Sequence, residues 1–210
     1  YPLAGSEGFD GSEAPNTLKV ANPMTPEHVY LRTSLRESIL STLGYNQRFG
    51  QSGVSIFEVG RVYLPRSDDL PEEREMAVGL VWGDRSPLSW TSGEEAADFY
   101  DAKGTVEAVL AGLGLVGDFN PGEDPLLLPG RTAWVTVDGQ VVGVVGEVRP
   151  EIQDRFEIGS GVVAMFELNL GKILPLLPER LQGFRPLAQF PGSHRDLALL
   201  VDASVSAAQL

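Results

Sequence analysis

The sequence predicts an α+β fold, in which helices pack on one face of a mainly antiparallel sheet. Two β-rich runs flank Asp138 and Gly139, and runs of this kind around Asp-Gly are the strongest short-range signal of a type I′ β-hairpin. Two segments, residues 34–44 and 98–114, carry apolar side chains at helical spacing. The runs at residues 56–63, 76–82 and 162–170 have the composition of further strands.

The composition excludes several classes of site. The 210-residue chain has no cysteine, which excludes disulfides and thiolate metal sites, and its two histidines, His28 and His194, are too far apart in sequence to suggest an imidazole cluster. The net charge of −13 makes the chain a poor general binder of nucleic acid, and we interpret the acid excess as a solvated surface. No apolar run approaches the length of a membrane span. Because the chain opens at Tyr1 in mid-pattern, we expect it to be a piece of a longer protein.

The first helix has a predicted start and a predicted stop. Ser34 and Glu37 have the S-x-x-E spacing of a capping box, in which each side chain satisfies a free backbone N–H. Gly44 is the predicted C-terminal stop. Upstream, residues 1–15 are predicted to be a mobile entry segment and residues 17–20 a short strand, followed by a bend at Pro23 and Pro26.

The next elements are two strands and a second helix. Phe57, Val59 and Tyr63 are predicted to share one side of the strand at residues 56–63, and Gly60 within it indicates a bulge or a close backbone approach. The run at residues 76–82, which follows a polar loop at 65–75, is apolar on both faces and predicts a central strand that is covered on both sides.

Asp98 is the predicted N-cap of the second helix. Gly112 and Gly114 are predicted to end this helix, and Gly104 inside it is expected to permit close packing. Residues 126–130 are predicted to form a turn before the hairpin. Pro150 is predicted to begin a short helix that runs to Phe156.

Several short sequence segments resemble those of one protein family. They are the Asn22-Pro23 turn, Leu31-Arg-Thr-Ser-Leu35, Phe57-Glu-Val-Gly-Arg-Val-Tyr63, the Asp98–Glu107 stretch with its Lys103-Gly104 pair, Pro129-Gly-Arg-Thr-Ala133 and Gly143-Val-Val-Gly-Glu-Val-Arg-Pro150. Together they resemble the catalytic-like region in the C-terminal half of the bacterial phenylalanine–tRNA ligase beta subunit. The family more often has histidine where this chain has Leu128 and Arg149, so no role of those histidines is carried over.

The resemblance implies a domain with a class II aminoacyl-tRNA synthetase-like sheet that does not activate an amino acid. Active members of that class hold ATP with two arginines, in Phe-Arg-x-Glu and Gly-x-Gly-x-x-x-Arg motifs, because guanidinium groups match phosphate geometry. Here Phe184-Arg185 is followed by Pro186, and no arginine follows Gly112-Leu-Gly114 at the required spacing. The resemblance therefore implies an architectural role beside a catalytic alpha subunit. ATP, magnesium and tRNA(Phe) would be bound by the whole cytoplasmic complex, with no cofactor in this chain and no membrane contact.

The resemblance also implies a domain layout. Residues 1–175 would form the catalytic-like domain, truncated at its N-terminal side, and residues 176–190 a linker. Residues 191–210 would contain the first strand, at 196–201, and the helix start of a ferredoxin-like anticodon-binding domain. The alternatives are an active ATP-using class II-like ligase domain, against which the missing motifs argue, and a stand-alone paralogue that acts as a regulatory or binding module.

Six charged residues within the family-like blocks are candidate structural or interface residues. They are Arg32, Glu58, Arg61, Asp98, Lys103 and Arg131. The basic members either pair with carboxylates inside the domain, such as Glu58, Asp98, Asp101 or Glu107, or contact a partner subunit. The acidic pairs at 68–69, 72–73 and 94–95 are interpreted as solvated, and the stretch around His194 as a polar loop that leads into a strand. Trp82, Trp90 and Trp134 are interpreted as core or interface residues.

Overall fold

Six antiparallel strands form one sheet with the spatial order β1-β2-β6-β5-β4-β3. The computed structural model describes residues 18–23, 29–50, 52–67, 70–85, 95–178, 192–193, 195–202 and 205. The strands are β1 (Gly53–Leu64), β2 (Glu72–Gly83), β3 (Asp118–Pro121), β4 (Leu127–Val137), β5 (Gln140–Val148) and β6 (Val163–Asn169). The helices are α1 (Arg36–Gln47), α2 (Phe99–Gly112), α3 (Pro150–Arg155) and α4 (Leu170–Ile173), and a 3-10 turn at Leu174–Leu176 follows α4. The prediction of a mixed fold with an antiparallel sheet is confirmed.

Helices pack on both faces of the sheet, so the prediction of helices on one face is wrong. One core cluster joins α1 to β1 and β2, and a second joins α2 to β5 and β6. We call these two sides the α1 face and the α2 face. The cause is visible in β6, where the consecutive residues Met165 and Phe166 point to opposite faces and are both buried. A strand that is apolar at successive positions needs a cover on each side.

The start of α1 differs from the predicted capping box. The helix begins at Arg36, with Leu35 at the N-cap position, and the Ser34 hydroxyl accepts a hydrogen bond from the Arg36 N–H at 3.1 Å. Glu37 makes no reciprocal bond to Ser34. Its carboxyl group is half-buried, near the positive charge of Arg155, and burial raises its pKa. The Ser34 hydroxyl therefore caps the helix without a reciprocal bond from Glu37.

Gly44 does not end α1, which continues to Gln47. A β-carbon at Gly44 would lie 2.4 Å from the carbonyl oxygen of Phe156, so the glycine is needed for close packing rather than for a left-handed cap. The first residue after the start of α1 with a positive φ is Gly50, at 74°, which lies beyond the end of the helix. Sequence spacing alone does not distinguish a glycine that packs from a glycine that stops a helix.

Strands β1 and β2 pair without a register shift over their whole length, from Gly53 opposite Gly83 to Leu64 opposite Glu72. There is thus no bulge at Gly60. The alternative, a close approach, is confirmed, since a β-carbon there would lie 2.2 Å from the guanidinium of Arg32. β2 is longer than predicted and includes the last four residues, 72–75, of the expected loop at 65–75.

The N-terminus of α2 follows the prediction. Asp98 accepts a hydrogen bond from the Tyr100 N–H at 2.8 Å, and Asp101 accepts one from the Asp98 N–H at 2.8 Å, so the two aspartates form a reciprocal cap. The helix ends at Gly112 as predicted. The expectation for Gly104 is wrong, because no atom lies within 4 Å of a β-carbon built there.

The hairpin between β4 and β5 is confirmed. Asp138 and Gly139 have φ values of 50° and 76°, the left-handed conformations that a type I′ turn requires. The predicted turn at 126–130 is instead mostly part of β4, with a register shift between Leu127 and Thr132. The short edge strand β3 was not predicted. Pro150 begins α3 as expected, and β6 lies within the predicted run at 162–170.

The ends of the chain match the predictions less well. Residues 195–202 form neither helix nor strand and are exposed, so the strand predicted at 196–201 is wrong; no described segment pairs with it. Of the strand predicted at 17–20, only one bridge, Lys19 to Tyr30, is present among the described residues. The predictions for residues 1–15, Pro26, His28, Trp90 and His194, and for the acidic pair at 68–69, concern residues outside the described ranges.

Candidate functional site

Two of the candidate residues meet at the outer edge of the sheet. The Arg32 guanidinium donates to the Glu58 carboxylate at 2.5 Å and to the carbonyl of Arg61 at 2.8 Å. The other Glu58 oxygen accepts from the Ser38 hydroxyl at 2.5 Å. The Tyr63 N–H donates to the Arg32 carbonyl at 2.9 Å. Arg32 therefore fastens the segment before α1 to the free edge of β1.

The side chains of the other candidates lie apart from this pair. Arg61 lies between Glu73 and Glu75 on β2, at 3.0 and 3.5 Å, and its side chain is 58% exposed. Lys103 pairs with Glu107 one helical turn away and lies over the ring of Phe119.

Arg131 lies 3.6 Å from Glu147 and is 62% exposed. Asp98 caps α2, and its neighbour Asp101 is bound by both ends of the Arg85 guanidinium at 2.9 and 3.0 Å. The six candidates therefore do not converge on one point, and Arg61 and Arg131 are the two most exposed cations among them.

A buried ion cluster on the α1 face was missed by the sequence reasoning. The Arg36 side chain is 11% exposed and donates to Asp124 at 2.9 Å and to Glu167 at 2.8 Å. Burial alone lowers the pKa of this guanidinium, but the two carboxylates outweigh burial and hold the pKa above its usual value. The sequence does indicate that Arg36 lies on the apolar face of its helix, since Arg36, Leu40 and Leu43 are spaced to share one face, but it does not indicate which carboxylates Arg36 meets.

This cluster joins three parts of the chain that are distant in sequence. Arg36 opens α1, Asp124 lies in the connection between β3 and β4, and Glu167 lies in β6. The Asp124 carboxylate also accepts from the Leu126 N–H at 3.0 Å. Each charged group in the cluster thus binds another group of the same chain. The cluster is therefore suited to stabilising the fold.

The α2 face carries an apolar groove between β1 and α2. Its volume is about 370 Å³. Phe57 and Val59 line it from β1 and are 78% and 57% exposed. The sequence predicted that these two side chains lie on the same side of the strand, but it did not indicate that this side is exposed. Val109 of α2 and Phe166 of β6 also line it.

Cation-binding geometry is not found within the described ranges, where no group of three or more His, Asp or Glu side chains is placed to hold a metal. Among the described helices, none combines the length and hydropathy that a membrane crossing requires.

Comparison with known proteins identifies the family. The family model of the phenylalanyl-tRNA synthetase beta chain CLM domain matches residues 1–170, which include all of the sheet and its two long helices. The chain belongs to this family. The predicted resemblance to the beta subunit is thereby confirmed at the level of the family.

Curated relatives of this family cover the chain almost completely. Phenylalanine–tRNA ligase beta subunits from Dehalococcoides mccartyi strain 195 and Halalkalibacterium halodurans are 38% and 36% identical to it, over 98% and 100% of the chain. The beta subunit of Pseudomonas syringae pv. tomato is 38% identical over 90% of the chain. In each case the chain spans only about a quarter of the relative's own length: 25%, 27% and 24%.

Proposed function

We propose that the chain is a non-catalytic, structural part of a phenylalanine–tRNA ligase beta subunit, which supports assembly with the alpha subunit that attaches phenylalanine to tRNA using ATP. The observation that carries this proposal is the family match across residues 1–170, which spans the complete sheet. The names of the relatives do not favour the alternative of a stand-alone regulatory paralogue.

The interior of the α1 face supports a structural role. An arginine that grips a nucleotide phosphate must present its donors to the ligand. Arg36 instead directs its donors to Asp124 and Glu167. Arg149 is preceded by Val148 and not by the phenylalanine of the Phe-Arg-x-Glu motif. Its Nε–H donates to the Leu127 carbonyl at 2.8 Å. Both guanidinium groups bind groups of their own chain.

We extend this proposal to the fold family of the sheet, to the C-terminal tail and to the ligands of the complete complex. The six-stranded antiparallel sheet with flanking helices is compatible with a class II synthetase-like, catalytic-like domain. We propose that residues 191–210 belong to the start of a ferredoxin-like anticodon-binding domain. ATP, magnesium and tRNA(Phe) would be bound by the complete cytoplasmic complex, with the alpha subunit as the direct partner of this chain.

The test is to mix the purified chain with the cognate alpha subunit and to determine the mass of the complex by light scattering. A stable complex is expected. Charge reversal of the two exposed candidate cations, Arg61→Glu with Arg131→Glu, is expected to weaken it by at least tenfold in Kd, because rim charges steer association. Arg48→Glu is the control for one charge reversal, since Arg48 lies at the C-terminal end of α1 and its side chain is as exposed as those of Arg61 and Arg131.

The absence of a complex leads to a second measurement with the full-length subunit. Binding by the full subunit, with the same loss on charge reversal, supports the proposal and shows that further segments contribute to affinity. Failure of the full subunit to bind the alpha subunit overturns it.

A further inference from the structure

Glu147, in β5, has a nearly buried carboxylate that accepts no hydrogen bond from the described part of the chain. It lies on the α2 face, two residues after the buried Val145. Its side chain is 10% exposed, and the Arg131 guanidinium beside it lies 3.6 Å away, which is beyond hydrogen-bond length. By contrast Glu167, whose side chain is 14% exposed, accepts from Arg36 at 2.8 Å. Because buried polar groups are normally hydrogen-bonded, Glu147 has acceptor capacity that the fold does not use.

Arg131 has donors that the fold leaves free. A guanidinium group carries five N–H donors, and no described residue accepts a hydrogen bond from this one. Its side chain is 62% exposed. The Arg48 side chain is exposed to the same extent, but it binds Glu157 directly. Arg131 and Glu147 thus form a pair in which both members can still bind a third group.

The pair lies beside an irregular stretch of β4. The pairing of β4 with β5 shifts register between Leu127 and Thr132. Gly130, the residue before Arg131, has a φ of 75°, a conformation that favours glycine. Irregularities of this kind redirect side chains and recur next to functional sites. The local backbone is therefore consistent with a recognition role for Arg131.

The two opposite charges select a neutral partner group. A lone cation would be attracted by Glu147 and repelled by Arg131, and a lone anion would meet the reverse. A carboxamide side chain or a peptide group carries both an N–H donor and a carbonyl acceptor, so it can bind both members at once. A nucleobase has similar groups, but its phosphates would be repelled by a chain with a net charge of −13. A protein group is therefore favoured.

We propose that Arg131 and Glu147 bind a carboxamide side chain or a peptide group of the alpha subunit, which donates to the Glu147 carboxylate and accepts from the Arg131 guanidinium. This inference rests on the proposed function, which makes the alpha subunit the direct partner of the chain. It goes further, because it gives Glu147 a role in recognition and names the chemistry of the partner group. Exclusion of water by the partner strengthens both hydrogen bonds.

The first test compares the reaction of two arginines with phenylglyoxal, a reagent for exposed guanidinium groups. Arg131 and Arg48 have equally exposed side chains, at 62%. The ratio of their modification rates in the 210-residue chain is the reference. In the complex of the full-length beta subunit with the alpha subunit, the Arg131 to Arg48 ratio is expected to fall about fivefold or more, because the centre of an interface excludes solvent. In the full-length beta subunit alone, the ratio is expected to stay at the reference value.

Variants of Glu147 separate recognition from stability. Glu147→Met should not lower the unfolding midpoint of the isolated chain, because no described donor binds this carboxylate. In the full-length beta subunit it should weaken binding of the alpha subunit about tenfold or more in Kd, because the partner's N–H loses its acceptor. Glu147→Gln keeps an acceptor oxygen and should recover most of the affinity. Glu167→Met is the control for stability, and it should lower the midpoint of the isolated chain because Arg36 loses a bound carboxylate.

Failure of this inference is distinguishable from failure of the proposed function. If the alpha subunit binds but neither the Arg131 ratio nor the affinity of Glu147→Met changes, the inference is overturned and the proposed function stands. A fall of the ratio in the beta subunit alone assigns the pair to another part of the same polypeptide and also overturns it. A lower midpoint for Glu147→Met in the isolated chain would show that the carboxylate serves the fold. If the alpha subunit does not bind the full-length beta subunit, both proposals fail.

Discussion

At the residue scale, the Arg36 guanidinium holds together three parts of the chain that are far apart in sequence. Its two partners, Asp124 and Glu167, have side chains that are 8% and 14% exposed. Taking such groups out of water costs several kcal/mol per ion, and their mutual attraction offsets that cost only while the cluster is complete. The consequence is asymmetric, because removing one member leaves the others buried and unpaired.

We therefore expect Arg36→Met to lower the free energy of unfolding by about 3–5 kcal/mol, because the substitution keeps the apolar stem and leaves two buried carboxylates without a cation. Arg48→Met is the matched control, since Arg48 pairs with Glu157 in the open, and should cost less than about 0.5 kcal/mol. Urea denaturation followed by circular dichroism measures both. A loss for Arg36→Met no larger than that of the control would show that the cluster does not stabilise the fold.

The pKa of the Glu37 carboxyl group leads to a prediction about how the stability of the chain depends on pH. Burial raises the pKa of its carboxyl group in the folded chain and outweighs the nearby positive charges, of which Arg155 is one. The folded state therefore binds this proton more tightly than the unfolded state does. Stability from this group is present below the unfolded pKa and is lost as pH rises through the higher folded value.

The variant Glu37→Gln should accordingly raise the unfolding midpoint at pH 7, and its advantage over the parent chain should disappear at a pH below the unfolded pKa. Thermal unfolding at a series of pH values measures the difference. Glu123→Gln removes the same charge from an exposed position and reports the effect of net charge alone. A Glu37→Gln advantage that is equal at all pH values, or equal to that of the control, would contradict the assignment.

At the element scale, two glycines in helices look alike in the sequence and differ in their surroundings. Gly44 in α1 meets the Phe156 carbonyl, whereas Gly104 in α2 faces open space. Replacement by alanine gains about 1 kcal/mol of helix propensity at either position. At Gly104 nothing opposes that gain, but at Gly44 the backbone of the neighbouring segment must move.

We expect Gly104→Ala to raise the free energy of unfolding by about 0.5–1 kcal/mol, and Gly44→Ala to lower it by at least about 1 kcal/mol, since overpacking against a fixed backbone costs about 1–3 kcal/mol. Each variant is the control of the other, because the chemical change is the same. Chemical denaturation measures both values. Effects of the same sign would show that packing against Phe156 does not set the choice of glycine in α1.

The elements that the sequence predicted well were those whose signals are local. The Asp138-Gly139 turn and the Asp98 cap depend on neighbouring residues, and both are present as predicted. The roles of Gly44 and Gly104, and the second face of helices, depend on what comes near from elsewhere in the chain. The ion cluster required knowing that Asp124 and Glu167 meet Arg36, and no local spacing contains that information.

At the scale of the whole molecule, the described residues pack against the core as far as the 3-10 turn at Leu174–Leu176. α4 still belongs to the core, with Ile173 at 1% exposure on the α2 face. By contrast, residues 195–202 are exposed and form no regular structure. The boundary predicted at residue 175, between a first domain and a linker, thus remains a prediction that truncation can test.

A chain that ends at Pro178 should keep the unfolding midpoint of the full 210 residues within about 2 °C, because the described tail beyond it buries almost no apolar surface. A chain that ends at Asn169 should lose about 2–5 kcal/mol, since it lacks α4 and the buried Ile173 side chain. Differential scanning calorimetry of the three chains measures both effects. If loss of the tail destabilised the chain as much as loss of α4, residues beyond 178 would belong to the same cooperative unit as the sheet, and the domain boundary would have to lie further along the chain.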